Sequence, residues 1–184
     1  MNAESQAAAP SSRVSHLPIP YEDELLYSIV ARYGEMTGYV DSSSSNLDLF
    51  GRTFGHASSR APSALSAMAK RLPLSLNISA RDLVSRHTLL PYYYAYFPEI
   101  RREKAIAEAL AQNGRADKAT GIGAKPLTPP SALRFCPRCL DAMENANQDL
   151  HWKRVHQLAI VTLCPEHGCD LLVSSITEIG RAHV

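Results

Sequence analysis

Four residues in the C-terminal part of the chain have types and spacings that suit metal binding. They form a CxxC pair and a CxxH pair, separated by residues 140–163: Cys136, Cys139, Cys164 and His167. Two ligands three positions apart on a tight turn can face one ion, and two such turns complete a tetrahedron. Three thiolates and one imidazole suit zinc. The spacing therefore predicts a zinc site, with structural or redox-active thiols as the alternative.

The predicted site has the ligand count of a structural centre. Four protein ligands leave no position for a water molecule, so we expect the ion to stabilise a segment that has too small a core of its own. Cys169 lies close to the second pair and is expected to be a packed side chain. His156 is expected to order the fold through a hydrogen bond, and Trp152 to pack over the zinc module.

The motifs that the chain lacks argue against an enzyme. It has no H-E-x-x-H, no G-x-S-x-G and no Walker loop, and no H-x-E precedes the CxxC pair as it does in a zinc deaminase. The acidic residues form no obvious catalytic cluster. A metal-dependent hydrolase of nucleic acid would need an open metal position, so we expect no catalysis.

Length and composition indicate a folded protein. With 184 residues, 45% of them hydrophobic, the chain can form one ordinary domain or two small ones. It has no apolar run long enough to cross a membrane and no signal-peptide pattern at its start. We expect a cytoplasmic protein, in which four cysteines are more typical of thiols or metal ligands than of disulfides.

Charge is unevenly distributed along the chain. The balance is −5 over residues 21–50, +5 over 51–97, +5 over 101–140 and −3 over 141–184. Alternating acidic and basic regions suit a protein with more than one kind of partner, although solvated faces of a neutral protein would give the same pattern.

The apolar periodicity predicts a mainly α fold. We expect four helices, at 22–37, 62–72, 79–87 and 98–114, with loop residues at 42–45 and a strand at 159–163. The aromatic run at 91–97 fits neither a helix nor a strand clearly. Ser79 is a plausible N-cap.

Two of the predicted helices are compatible with a helix-turn-helix. Residues 73–78 would form the turn between 62–72 and 79–87. Three residues on the polar side of the second helix could meet DNA phosphates, or could be solvated surface: Arg81, Ser85 and Arg86. The same two interpretations apply to Arg134 and Arg138, which flank the CxxC pair.

We expect the chain to have five parts. Residues 114–131 are rich in Gly and Pro and predict a flexible linker. The expected parts are a disordered N-terminus, a helical domain with the helix-turn-helix, this linker, a small α+β zinc-binding module and a truncated or non-native tail: 1–16, 17–113, 114–131, 132–175 and 176–184.

Several motifs resemble the TniQ family of transposition proteins, including its TnsD branch of target-site selectors. They are LRFCPRC at 133–139, WKRVHQL at 152–158, CPEHG at 164–168 and, near the start, LPIPYEDELLYS at 17–28. Two further landmarks are LFG at 49–51 and HTLLPYY at 87–93. The motifs occur in the order of the family over most of the chain.

The resemblance implies a target-selection adaptor. Such a protein binds a DNA site, or a DNA-bound guide complex, and recruits the AAA+ ATPase of the transposon. The resemblance also carries the metal roles onto the CxxC and CxxH residues. No membrane partner is expected, because the chain has no apolar run long enough to cross a membrane. The alternative is a stand-alone zinc-containing helix-turn-helix transcriptional regulator.

Overall fold

A computed structural model describes residues 14–53, 61–122 and 132–177 of the chain. These residues form eight α-helices and one two-stranded sheet, which confirms the predicted mainly α fold with a small α+β part. The helices are α1 (Leu26–Thr37), α2 (Ser42–Phe50), α3 (Leu65–Arg71), α4 (Ala80–His87), α5 (Leu90–Tyr94), α6 (Glu99–Leu110), α7 (Ala116–Thr120) and α8 (Pro137–Asn145). The strands are β1 (Ala132–Phe135) and β2 (Leu172–Thr177).

Helix α1 begins four residues later than the sequence predicts. Asp23 has a left-handed backbone with φ of 57°, and Glu24 forms an antiparallel bridge with Lys153, so residues 22–25 belong to a turn and an extended segment. The helix ends as predicted, because Gly38 adopts φ of 74° and caps the carbonyls of Gly34 and Glu35.

Helix α2 includes residues 42–45, which were predicted to form a loop. Residues 42–45 are serines, which have only moderate helix propensity. Asp41 caps the helix, since its side chain accepts a hydrogen bond from the amide of Ser44 at 3.0 Å. The cap and the burial of Leu49 and Phe50 place these serines in the first turn of a helix.

Helices α3 and α4 occupy the region of the predicted helix-turn-helix. A short 3-10 turn at Leu74–Leu76 lies between them. Ser79 is the N-cap of α4, as predicted, and forms a capping box with Asp82. Whether the pair acts as a helix-turn-helix stays a prediction.

The aromatic run and the predicted linker both contain helix. Leu90–Tyr94 forms α5, and α6 ends at Leu110 rather than at 114. Part of the predicted flexible linker is the folded helix α7, whose Ala116 and the following Ile122 are buried in the core. Residues 123–131 of that predicted linker lie outside the described residues.

The sheet differs from the predicted strand. β1 and β2 are antiparallel, with Arg134 opposite Val173 and Phe135 opposite Leu172. Residues 159–163 form no strand, and only Leu163 bridges to Asp170. The predicted tail overlaps β2, which continues to residue 177; residues 178–184 lie outside the described residues.

One hydrophobic cluster joins the two predicted folding units. It contains residues of α1 to α7 together with Leu133, Trp152 and Leu158. Trp152, which was predicted to pack over the zinc module, packs against Phe135 of that module and also lies in the cluster formed by the helices. A separate small cluster surrounds Cys136, Cys139 and Cys164.

The described residues begin inside the segment predicted to be disordered. Val14 is buried and its amide donates to the carbonyl of Arg71 at 3.0 Å, so residues 14–16 depart from that prediction, while residues 1–13 lie outside the described residues. In the part of the chain that the structure describes, no helix combines the length and apolar character that crossing a membrane requires.

Candidate metal centre

The first pair of candidate ligands lies where β1 enters α8. Cys136 is the N-cap of α8, and its Sγ accepts a hydrogen bond from the amide of Cys139 at 3.4 Å. Pro137 at the first helical position needs no amide partner. The helix start therefore holds both sulfurs on the same side, where the positive end of the helix dipole favours thiolates.

The second pair lies on a tight turn. The amide of Gly168 donates to the carbonyl of Cys164 at 2.8 Å, and the amide of Cys164 donates to the carbonyl of Cys169 at 2.8 Å. Gly168 has φ of 64°, a conformation that most side chains disfavour. This turn brings the His167 ring back toward Cys164.

The four predicted ligands converge on one point. Their ligand atoms all lie within 4.8 Å of one another. Nδ1 of His167 is 3.3 Å from Sγ of Cys139 and 3.6 Å from Sγ of Cys164. A tetrahedral ion with Zn–S bonds of about 2.3 Å separates its sulfurs by roughly 3.8 Å, and Cys139 and Cys164 are 3.6 Å apart. The cluster is able to hold a metal ion.

The chemistry of the donor set also fits a cation. Burial, with a further contribution from the neighbouring Cys164, raises the pKa of the Cys139 thiol well above its ordinary value. A bound dication reverses this effect, because it stabilises the thiolate directly. Three cysteines packed this closely are therefore better suited to a metal-bound state than to free thiolates.

Cys169, which was expected to be a packed side chain, lies next to the four candidate ligands. Its Sγ is 3.3 Å from Sγ of Cys136, although it is not one of the four converging residues. It is partly exposed, and its carbonyl accepts from the amide of Cys164. Its backbone therefore supports the CxxH turn.

A charged pair borders the cluster. Oε2 of Glu166 lies 3.7 Å from Sγ of Cys139, and Oε1 of Glu166 pairs with the ammonium of Lys153. Lys153 is 16% exposed, whereas Glu166 is 54% exposed. Reasoning from the sequence missed this pair, because Lys153 and Glu166 belong to different motifs and meet only in the fold.

The segment 152–155 ties the metal-binding part to the start of the helical part. The carbonyl of Trp152 accepts from the amide of Leu25 at 2.8 Å, and the amide of Trp152 donates to Oγ of Ser28 at 3.1 Å. The amide of Arg154 donates to the carbonyl of Asp23 at 2.8 Å. These bonds join the WKR motif to the N-terminal motif in the fold.

His156 was expected to order the fold through a hydrogen bond, but its Nε2 atom makes none. This atom is buried and has no partner among the described residues. Burial lowers the pKa of His156 to about 4, so the ring is neutral at neutral pH.

The three predicted DNA-contact residues lie together on the exposed side of α4. Arg81 is 62% exposed and forms an ion pair with Glu103 at 2.7 Å. Ser85 and Arg86 are exposed near the end of the helix. Arg134, by contrast, is buried and donates to the carbonyl of Leu158, so it presents no surface to a phosphate.

Fold and site together define a mainly helical protein with a Cys₃His centre able to bind a metal ion. The TniQ family model matches residues 16–171, and the chain belongs to the TniQ family. It is similar to the transposon Tn7 transposition protein TnsD of Escherichia coli, with 30% identity over 155 residues, or 83% of this chain. The chain spans 30% of the length of that relative.

Proposed function

We propose that the protein is a target-selection adaptor of a transposition system. It binds target DNA, or a DNA-bound guide complex, and recruits a AAA+ ATPase, with no chemistry of its own. The observation that carries this proposal is the family match over residues 16–171, together with the similarity to a named transposition protein. The four-ligand centre supports it, because a closed shell stabilises structure and leaves no open catalytic position.

Zinc is the ion that we propose for the centre. Three sulfurs and one imidazole nitrogen, all within 4.8 Å of one another, match the ligand preference of zinc. When bound, the ion would supply the stability that the small cluster around Cys136 and Met143 lacks.

The exposed side of α4 is the proposed DNA contact. Arg81, Ser85 and Arg86 can donate hydrogen bonds to phosphate oxygens. The pairing of Arg81 with Glu103 holds its guanidinium at the surface, and an exposed pair of this kind is cheap to exchange for a phosphate.

Binding of a duplex DNA probe at several salt concentrations tests the proposal. Replacement of Arg86 by Glu should weaken binding and reduce the salt slope by about 1. Lys118→Glu on α7 is the matched control, since it changes the same charge at another exposed position.

Recruitment of the ATPase is tested with the AAA+ protein of the same transposon in a pull-down on target DNA. The adaptor should retain the ATPase on DNA. Tight binding of one operator with no effect of the ATPase would instead support the regulator.

A further inference from the structure

Tyr94, the last residue of α5, has a buried side chain whose hydroxyl makes no hydrogen bond to the described residues. The residue is 8% exposed and belongs to the hydrophobic core. Burial raises the pKa of Tyr94, so the hydroxyl stays protonated at neutral pH and can donate a hydrogen bond. Because the packed ring fixes this donor in position, little entropy is lost when a ligand binds it.

Charged side chains surround this hydroxyl. The groups that act on it electrostatically are Arg102, Glu103, Arg81 and Arg154. Arg81 donates two hydrogen bonds to Glu103, at 3.3 and 2.7 Å, and Arg154 pairs with Asp23 at 3.0 Å. These two pairs cancel their charges, so the uncancelled charge beside the hydroxyl is that of Arg102.

Arg102 lies at the edge of the buried face of α6. Ala105 and Ile106, three and four positions later, are buried in the core, and side chains at these spacings share one face of a helix. Arg102 is partly buried, and its guanidinium forms no ion pair or hydrogen bond with the described residues. A cation that is partly removed from water without a counter-charge favours an incoming anion.

The surface around Arg102 has the same sign of charge. Arg101 and Lys104 are exposed, and neither forms an ion pair in the described part of the chain. The guanidinium of Arg101 lies over the ring of Phe97 at 4.2 Å. Over residues 99–104 the unpaired cations therefore outnumber the unpaired acid, Glu99. A surface with this excess attracts a polyanion.

We propose that Tyr94 and Arg102 together bind one backbone phosphate of duplex DNA. The hydroxyl and the guanidinium donate hydrogen bonds to the phosphate oxygens. The pair of Arg81 with Glu103 joins α4 to α6 at this point, so the phosphate site lies beside the DNA contact already proposed on α4. This inference rests on the proposed function and extends its DNA contact to α5 and α6.

The test measures binding of a fluorescent duplex DNA by the purified full chain at several salt concentrations. Arg102→Gln should weaken binding and reduce the salt slope by about 1, because one phosphate contact loses its charge. Tyr94→Phe should weaken binding roughly threefold to tenfold with the salt slope unchanged, since the hydroxyl carries no charge. It should also leave the melting temperature unchanged, because the hydroxyl has no partner among the described residues.

Two matched substitutions serve as controls. Lys118→Gln on α7 removes one positive charge at another exposed position. Tyr39→Phe removes a hydroxyl that already bonds the carboxylate of Asp48. Both variants should bind DNA as the parent chain does, and a thermal melt verifies that every variant folds.

DNA binding equal to that of the parent chain in both Arg102→Gln and Tyr94→Phe would overturn the inference. If Arg86→Glu still weakens binding in that experiment, the α4 contact stands and this inference alone fails. A parent chain that binds no duplex DNA would overturn both. Inorganic phosphate is titrated separately in a thermal melt. Stabilisation that Arg102→Gln abolishes, with DNA binding unchanged, would assign the site to a small anion and overturn the inference.

Discussion

Asp23 and Arg154 are joined through both backbone and side chains. The amide of Arg154 donates to the carbonyl of Asp23 at 2.8 Å, and its guanidinium lies 3.0 Å from the Asp23 carboxylate. The same carboxylate accepts from the amide of Val155 at 3.1 Å. The turn before α1 and the segment that follows Trp152 are therefore held as one unit, although more than a hundred residues separate them in sequence.

Removal of this carboxylate should destabilise the whole chain. Asp23→Ala removes the carboxylate that pairs with Arg154, which is 12% exposed and keeps only its hydrogen bonds to the carbonyls of Ser85 and Thr88. We expect a loss of about 2 kcal/mol in the free energy of unfolding. Denaturant unfolding measures this loss in free energy. Arg115→Ala, which removes an exposed pair with Asp117, is the comparison and should change the free energy of unfolding much less, because solvent screens an exposed ion pair. If the two substitutions lower the free energy of unfolding equally, the contact between Asp23 and Arg154 does not hold the two segments together.

Loss of one proposed metal ligand should release the ion. Cys136→Ser and His167→Ala each leave three ligands, so we expect metal content to fall to a small fraction and the melting temperature to drop, with α1 still helical. Metal analysis and circular dichroism provide the measurements. Cys169→Ser keeps the four converging residues and should keep the metal; metal loss in that variant would place Cys169 in the ligand set.

Lys153 should support metal binding without being a ligand. Three thiolates around a dication leave a net negative site, and Glu166 adds another negative charge beside Cys139. Replacement of Lys153 by Met should weaken metal affinity about tenfold, as measured by chelator competition. Lys153→Arg should preserve affinity. Glu166→Gln should restore part of the loss in the Lys153→Met background; no restoration would mean that Lys153 acts through packing alone.

Acid should destabilise the fold through His156. Its pKa is about 4 in the folded state and 6.5 when unperturbed, so the unfolded chain binds the proton first as pH falls. Stability should therefore decrease between about pH 6.5 and pH 4, by up to about 3 kcal/mol. His156→Phe should flatten this part of the pH profile in denaturant unfolding. A profile identical to that of the parent chain would show that other groups cause the acid sensitivity.

Local sequence signals predicted the elements whose determinants are close in the chain. The Ser79 N-cap of α4 and the end of α1 at Thr37 depend on short-range features, and both occur as expected. The linker prediction was wrong for residues 116–120, because burial of Ala116 and Ile122 against the other helices outweighs the turn-forming composition around them. The strand prediction at 159–163 was wrong because the pairing partner of β1 is β2, which follows the CxxH turn.

The sequence by itself determined the candidate ligands and the family, since ligand spacing on a turn and motif order are properties of the chain. Only the tertiary structure decided which charges meet: Lys153 with Glu166, Arg32 with Glu24 and Asp149, and Arg154 with Asp23. It also placed Trp152 in the helical core. These contacts depend on the packing of distant segments, and no local pattern encodes the partner of a buried charge.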